Sequence, residues 1–571
     1  MIKVYFIIII TLLNFLFTQN LALKNSAKNR NSSTDITNAH LEMFKEAFYK
    51  LRDTYVDSIN EVEIIKAGIK GMMKPVDPYT RFLSGSSKDR LDMLRTGKYG
   101  GVGIQIGLRR DTLTVLAPME DSPAYTEGIH SGDQIYKIDS TLTKGMSIKD
   151  ASELIRGELG SIVTLHMYRP ATRQKIPFEL KRANIKLNDV PYWGLNQQKI
   201  GYIRIKKFSR NTAKDFRTGI KSMVDSGMEG LVIDLRGNSG GLLSNAINML
   251  DMLTPRGSEL LSTRGRIEKS NKTINSRRRP IVDSDVPIVV LINRSSASAS
   301  EILSGVLQDL DRAVIVGEKS FGKGLVQSMY NLNDTTTLKV TTAKYYTPSG
   351  RLIQKQDYLD NGFLTDGLDE NDSTFITIGG RTVKGGGGIS PDISIKSKSL
   401  PPYVQGLWKS GVFLTFAATY VPLNNIKDDF LITDKIMSDF KSFLEEYEID
   451  YFLPGEKELD LLSNHLNNEL LSTKATLIDR LFFWKNNSRS KLTNSIYRYY
   501  KKERESQFDN IQNQKWIRNG LLREISRIIG GEKARIKAGL EVDRVYHKSL
   551  EIIMDQNKYY DILKPKPENF N

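Results

Sequence analysis

A multidomain α/β protein is the fold class this sequence predicts, and three observations predict it. Residues 199–395 alternate continuous apolar strands with amphipathic helices. Residues 97–184 read as short strands and turns, and both flanks carry helical periodicity. The 571 residues leave room for about three to five domains at roughly 100–200 residues each.

The chain starts "MIKVYFIIIITLLNFLF", with Lys3 ahead of a 14-residue apolar run, Val4 to Phe17. That length fits a secretory leader and falls short of the roughly 18–20 residues of a spanning helix. Residues 1–22 are therefore expected to be a signal peptide or a short membrane anchor. The protein is expected in the periplasm or cell envelope, tied to the membrane by this segment if it is not removed. A polar Asn/Ser-rich linker, 23–35, follows. Residues 36–96 are expected to be helical, since "LEMFKEAFYKLRDTYVD" sets Leu41, Phe44, Ala47, Phe48 and Leu51 at helical spacing.

Composition narrows the chemistry. There is no cysteine, which excludes disulfides, thiolate catalysis and cysteine zinc sites. No metal or cofactor is expected. The net charge of +16 would suit an anionic surface, yet no stretch interleaves basic and aromatic residues as a nucleic-acid module does. Nucleic acid is not an expected partner.

In the 97–184 zone, "YGGVGIQI" is a glycine-bracketed turn running into a strand, followed by the helical "SIKDASELIRG". Consecutive N–H groups in such a turn can form a nest for a carboxylate beside an apolar pocket. A small β-domain with a glycine turn is the plainer reading. The arrangement resembles a PDZ domain. Its carboxylate-binding loop matches Gly101, Val102, Gly103 and Ile104, which implies capture of a peptide C-terminus by β-addition.

The core zone, 185–398, carries the chemistry. "GLVIDLRGNSGGLLSNAINMLDML" and "DVPIVVLINRSSASASEILSGVLQDL" each run from apolar strand through a small-residue turn into a helix, and "RAVIVGE" is a third strand. Buried strands joined through helices imply parallel pairing, so the three following turns gather at one sheet edge. Ser298 lies in the second turn and Lys323 in the third. Serine needs a base, and lysine serves as one only when desolvated and neutral. The glycine-flanked "SFGKGLVQ", with no acid inside the turn, suits that role. Plainer readings stand beside this: Ser298-Ala-Ser-Glu301 also fits a capping box, and a turn lysine is commonly solvated. The N–H of Ala299 at a helix N-terminus and that of Gly241 in "RGNSGGL" are candidate oxyanion donors, though the latter turn equally serves a tight strand-to-helix connection. "GEKSFGKG" (317–324) has Walker A spacing until Gly324 stands where Ser or Thr must hold Mg²⁺, which argues against a nucleotide.

Together these segments resemble the carboxyl-terminal processing peptidases, or tail-specific proteases. The matches are "DPYTRFL" (77–83), the PDZ segment, "GYIRIKKF" (201–208), "LVIDLRGNSGGLL" (231–243), "SASASEI" (296–302), "GEKSFGKGLVQ" (317–327), "YYTPSGRLIQ" (345–354) and "GGISPDI" (387–393). The resemblance covers about residues 40–395 and implies an α/β serine-peptidase core with a PDZ domain (97–184) inserted after the helical segment. It implies that Ser298 is the nucleophile, Lys323 the base, Gln327 the residue orienting that lysine, and Gly241 and Ala299 the oxyanion donors. Where the family commonly shows Pro in the glycine turn, this chain has Ser239. The implied activity is ATP-independent endoproteolysis of proteins with apolar C-termini, with a homo-oligomer or an adaptor as further partners. The alternative is a non-catalytic or latent PDZ scaffold of the envelope. Residues 399–571, an all-α basic extension with "RYYKKERE" (498–505), fall outside the resemblance and are expected to be an accessory domain.

Overall fold

In the computed structural model the described residues are 36–355, 373–396, 399–427, 429–459, 461 and 487–565. The expected leader and linker lie outside them. The chain divides into two units, one ending at Phe82 and one beginning at Leu83.

The first unit holds a helix over 36–54 and a second over Glu61–Met73, whose cap Asn60 accepts from the Glu63 N–H. Gly68 lets the two approach, since a Cβ there would come within 2.9 Å of the Phe44 ring. Many of their apolar side chains, Leu41, Phe44, Leu51 and Ile65 among them, stay exposed.

In the second unit, five strands form the sheet order Ile104–Arg109, Thr112–Pro118, Gln134–Ile138, Ile162–Arg169, Gln174–Lys181, with Thr141–Leu142 added to Gln134–Ile138. Alternation decides the faces: Leu113, Val115, Val163, Leu165, Met167 and Leu180 point into one core, and the intervening residues point out. Helix Ile148–Ile155, capped by Ser147, closes that core with Ala151 and Ile155.

A second, mostly parallel sheet runs in the order β1 (Tyr192–Leu195), β2 (Ile200–Arg204), β3 (Gly230–Asp234), β4 (Ile288–Ile292), β5 (Val314–Gly317), β6 (Ile393–Ser394). Only β1 pairs antiparallel; β2 to β6 are parallel. Helices α1 (Thr212–Asp225), α2 (Leu243–Leu250) and α3 (Ala299–Asp309) cover one face over Ile203, Leu231, Ile233, Val290 and Ile315. Every residue of α3 is buried.

The opposite face shows what the sequence left open. Tyr202, Val232, Val289, Leu291, Val314 and Val316 are covered by α4 (Arg544–Met554) and α5 (Gln556–Leu563), through Tyr546, Ile552, Ile553 and Tyr559. The strands are apolar on both sides because both sides are buried. The extension expected as an accessory is thus partly a layer of the core. Its remainder is a separate helical cluster of Pro402–Ser410, Val412–Asn424, Asp434–Leu444 and the first part of Ile511–Leu540, packed around Phe413, Phe416 and Phe440. Helix Val412–Asn424 of this cluster buries Val412, Phe413, Leu414, Phe416, Ala417 and Val421. No helix among the described residues is long and apolar enough to cross a membrane.

Candidate active site

Parallel pairing brings the turns after β3, β4 and β5 to one edge, and these turns carry Gly241, Ser298 and Lys323. Ser298, the residue ahead of α3, has φ +54° and ψ −112°. A side chain held there costs roughly 1–3 kcal/mol, and the same sharp strand-to-helix elbow lifts the nucleophile of other serine hydrolases out of its sheet. Ser296 and Ser300 flank it, both buried. Ser296 Oγ donates to the Leu235 carbonyl at 2.9 Å and Ser300 Oγ to the Asn238 carbonyl at 2.9 Å. The outer serines of "SASAS" thus fasten this turn to the glycine turn after β3, and only the middle one stands on the elbow.

Asn238 is the knot between the two turns. It is fully buried, and its carbonyl also accepts from the Ala297 N–H at 3.0 Å. Its side chain takes the Gly240 N–H at 2.9 Å and donates to the Ile205 carbonyl at 3.0 Å. Gly240 touches the elbow itself: a Cβ there would stand 2.8 Å from Ser298 Cβ and 3.0 Å from the Ala299 nitrogen. At Gly241, φ is +152° and a Cβ would overlap the Phe208 carbonyl. The Phe208 carbonyl takes the Leu242 N–H and the Gly240 carbonyl takes that of Phe208. Among the described residues nothing accepts the N–H of Gly241, and that of Ala299 is a first-turn donor without an intrahelical partner. Ser239 in this turn is exposed.

The third turn wraps around a carboxylate. Glu301 in α3 is fully buried and accepts from the N–H groups of Ser298 (2.7 Å), Gly322 (2.6 Å) and Lys323 (2.9 Å) and from Ser320 Oγ (2.6 Å). Burial pushes its carboxyl up to about 7, against the pull of these donors. The Walker-like amides therefore face an internal carboxylate and are not a phosphate cradle. No acid lies inside "SFGKGLVQ", as expected; Glu301, 22 residues before Lys323, takes the backbone amides of the turn and also makes the glutamate half of the capping box. Tyr345 Oη donates to the Lys323 carbonyl and reaches the Ser298 carbonyl at 3.3 Å, spanning both turns. Lys323 is half-buried, and Gln327 Nε2 donates to the Leu325 carbonyl at 3.3 Å.

The glycine turn has a second anchor. Fully buried Asp234 accepts from Tyr202 Oη (2.7 Å), Arg204 Nη1 (2.7 Å) and Arg236 Nη2 (2.6 Å). The two guanidiniums hold its carboxyl well below the usual range despite burial. Sequence reasoning missed Glu301 as more than a cap, Asn238, Tyr345 and this cluster. A glutamate at the third position of a helix otherwise uncharged until Asp309 was the available signal for the first.

In the antiparallel sheet that begins with it, strand Ile104–Arg109 is an edge, flanked by helix Ile148–Ile155. The carbonyls of Val102 and Gly103 turn inward to the N–H groups of Ala124 (3.0 Å) and Met119 (2.8 Å). Gly103 has φ +80°, and a Cβ there would overlap Ser122. Among the described residues, the N–H groups of Val102 and Gly103 donate to nothing. Gly101, Val102, Gly103 and Ile104 thus form a turn at the head of an open sheet edge.

Comparison with known proteins agrees with this architecture. Residues 199–363 match the profile of peptidase family S41, residues 114–169 that of a PDZ domain, and residues 403–553 that of a probable PDZ-protease C-terminal helical domain. A carboxy-terminal-processing protease of Bartonella bacilliformis is 36% identical over 56% of this chain and 73% of its own. The carboxyl-terminal-processing protease of Synechocystis is 35% identical over 54% and 73%. The chloroplastic C-terminal processing peptidase of Tetradesmus obliquus is 35% identical over 63% and 75%. An α/β core with this elbow, a PDZ domain and a helical C-terminal domain make the chain a serine-type peptidase, and it belongs to the carboxy-terminal processing protease family.

Proposed function

We propose that the chain is an exported, ATP-independent endopeptidase that works by a Ser298–Lys323 dyad on proteins whose apolar C-termini enter the PDZ groove. The observation that carries the dyad is the strained Ser298 elbow packed against Gly240, the residue before Gly241. A nucleophile is there presented beside two amide donors. In this reading neutral Lys323 takes the Ser298 proton as Oγ attacks the scissile carbonyl carbon. The oxyanion is met by the N–H groups of Gly241 and Ala299, at the positive end of α3. Collapse expels the amine, which takes the proton back from Lys323, and water then hydrolyses the acyl-enzyme by the reverse route. Gln327 would steady the lysine. Export rests on the apolar leader.

The PDZ reading is supported by the inward carbonyls at Val102 and Gly103, which leave amides for a substrate carboxylate. The test is cleavage of an unfolded protein with an apolar C-terminus, without ATP, by wild type, Ser298→Ala and Lys323→Ala. Wild type alone is expected to cut, and amidating the substrate's C-terminus should slow it at least about tenfold through loss of the charge-assisted bonds. Equal cutting by all three sinks the dyad.

A further inference from the structure

Arg236 opens the glycine turn, and every polar handle it has is fixed. Its N–H donates to Asp234 Oδ1 at 2.9 Å, and its carbonyl accepts from Arg204 Nη2 at 2.8 Å. Its guanidinium meets Asp234 on one side at 3.0 and 2.6 Å. On the other side it pairs in bidentate fashion with Asp543, at 3.0 and 2.6 Å, across 307 residues of sequence. Asp543 is also the N-cap of α4, where Oδ1 accepts from the N–H groups of Val545 (3.0 Å) and Tyr546 (3.1 Å). The cluster is charge-balanced only with it: Arg204 and Arg236 face Asp234 and Asp543. Without Asp543 one buried carboxylate would serve two guanidiniums, and Arg236 would be held from one side.

Resting on the reading of Gly241 as an oxyanion donor, we infer that Asp543 is a positioning residue for that turn, acting through Arg236. The C-terminal helices then supply a part of the peptidase site as well as a layer of the sheet. Asp543 lies outside the stretch that matches peptidase family S41, and its partner is the residue just before the turn's first glycine. Loss of its carboxylate frees one side of the guanidinium and loosens the turn five residues before Gly241. The ground-state complex is then little changed, while the oxyanion donor is misplaced.

The test separates this from helix capping, because Asn and Ser both cap well. Asp543→Asn and Asp543→Ser in the full chain keep a cap and lose the bidentate pair. Thermal midpoint, kcat and KM are measured on a peptide ending in apolar residues. Inhibition is measured with a peptide aldehyde, whose hemiacetal oxygen needs the same donors. Both variants are expected to keep the midpoint within a few degrees and KM within about twofold. Both should lose roughly 10- to 30-fold in kcat and in aldehyde affinity together, and Asp543→Glu should recover most of the loss. Wild-type kcat in both, or a change in KM alone, overturns the inference while leaving the dyad intact. Ser298→Ala run beside them tells the two failures apart: if it cuts like wild type, the reading of the site itself falls.

Discussion

Glu301 ties Ser298 to Lys323 through their backbones, so its ionisation state is a property of the site. All four groups pointed at it are donors, and a protonated carboxyl must turn one away. Its carboxyl is raised to about 7 from an ordinary 4.5, so the folded chain binds this proton more tightly than the unfolded one. The stability it contributes is full below pH 4.5 and is lost as pH rises through 7, by about 3 kcal/mol. Activity is expected to run the other way, rising through pH 7 as the carboxylate forms and all four donors engage. In Glu301→Gln both trends should flatten, with kcat down at least about tenfold, because the amide presents hydrogens to donors. Thermal midpoints and kcat from pH 5 to 8 measure this, and an unaltered profile in the variant assigns the trend elsewhere. Ser298 and Lys323 were legible as candidates for the proposed nucleophile and base, because such groups lie at strand ends and their types are few. Glu301 was legible only as a cap. What it caps depends on Ser320, Gly322 and Lys323, about twenty residues away and joined to it by folding alone.

Strands and their glycine turns were readable as elements. A run such as Ile288–Ile292 has no polar face, so it must be covered on both sides, and Gly317 or Gly241 must follow where the backbone leaves ordinary φ/ψ space. Helix partners were not readable, since an amphipathic stripe states that a face is buried and not against what. The long helix Ile511–Leu540 shows a further gap. "RIIGGEKARIK" keeps helical spacing, yet the helix breaks at Gly530 (φ −123°, ψ 20°) and Gly531 (φ +67°, ψ −160°). Upstream, Ile517, Leu521 and Ile525 pack in the helical cluster; downstream, Ile536 and Leu540 pack beside the mostly parallel sheet. Gly531 occupies a region essentially closed to other residues. Gly531→Ala is therefore expected to cost about 1–3 kcal/mol in urea unfolding, although a Cβ there meets nothing within 4 Å. Unchanged stability would mean that the two halves join into one straight helix at no cost.

Across the whole second unit, the C-terminal region connects what the peptidase and PDZ zones keep apart in sequence. Just beyond the glycine break, Glu532 pairs with Lys206 of the core at 3.0 Å and Lys533 with Glu120 of the PDZ zone at 2.9 Å. The Arg110 guanidinium lies 3.9 Å from the Tyr447 ring centre. These contacts are partly exposed and individually weak. The sheet cover is the strong connection. Tyr559 is buried, and its hydroxyl accepts from the Ile288 N–H at 3.0 Å and reaches the carbonyls of Ile288 and Arg312 at 3.2 Å each. Tyr559→Phe keeps the packing and strands the Ile288 N–H, so it should cost about 1–3 kcal/mol, whereas Tyr559→Ala also opens a cavity and should cost about 3–5 kcal/mol. A chain ending at residue 398 goes further and strips Val232, Val289, Leu291, Val314 and Val316 of their cover. Each such side chain is worth roughly 1.5–3 kcal/mol when buried, and the total rivals the 5–15 kcal/mol that holds a domain folded. The shortened chain is expected to show no cooperative thermal transition and to bind a hydrophobic dye, even though it keeps Ser298, Lys323 and the whole PDZ zone. A transition at the wild-type midpoint would instead make the helices a removable layer, and the graded loss expected from Tyr559→Phe to Tyr559→Ala would then be absent as well.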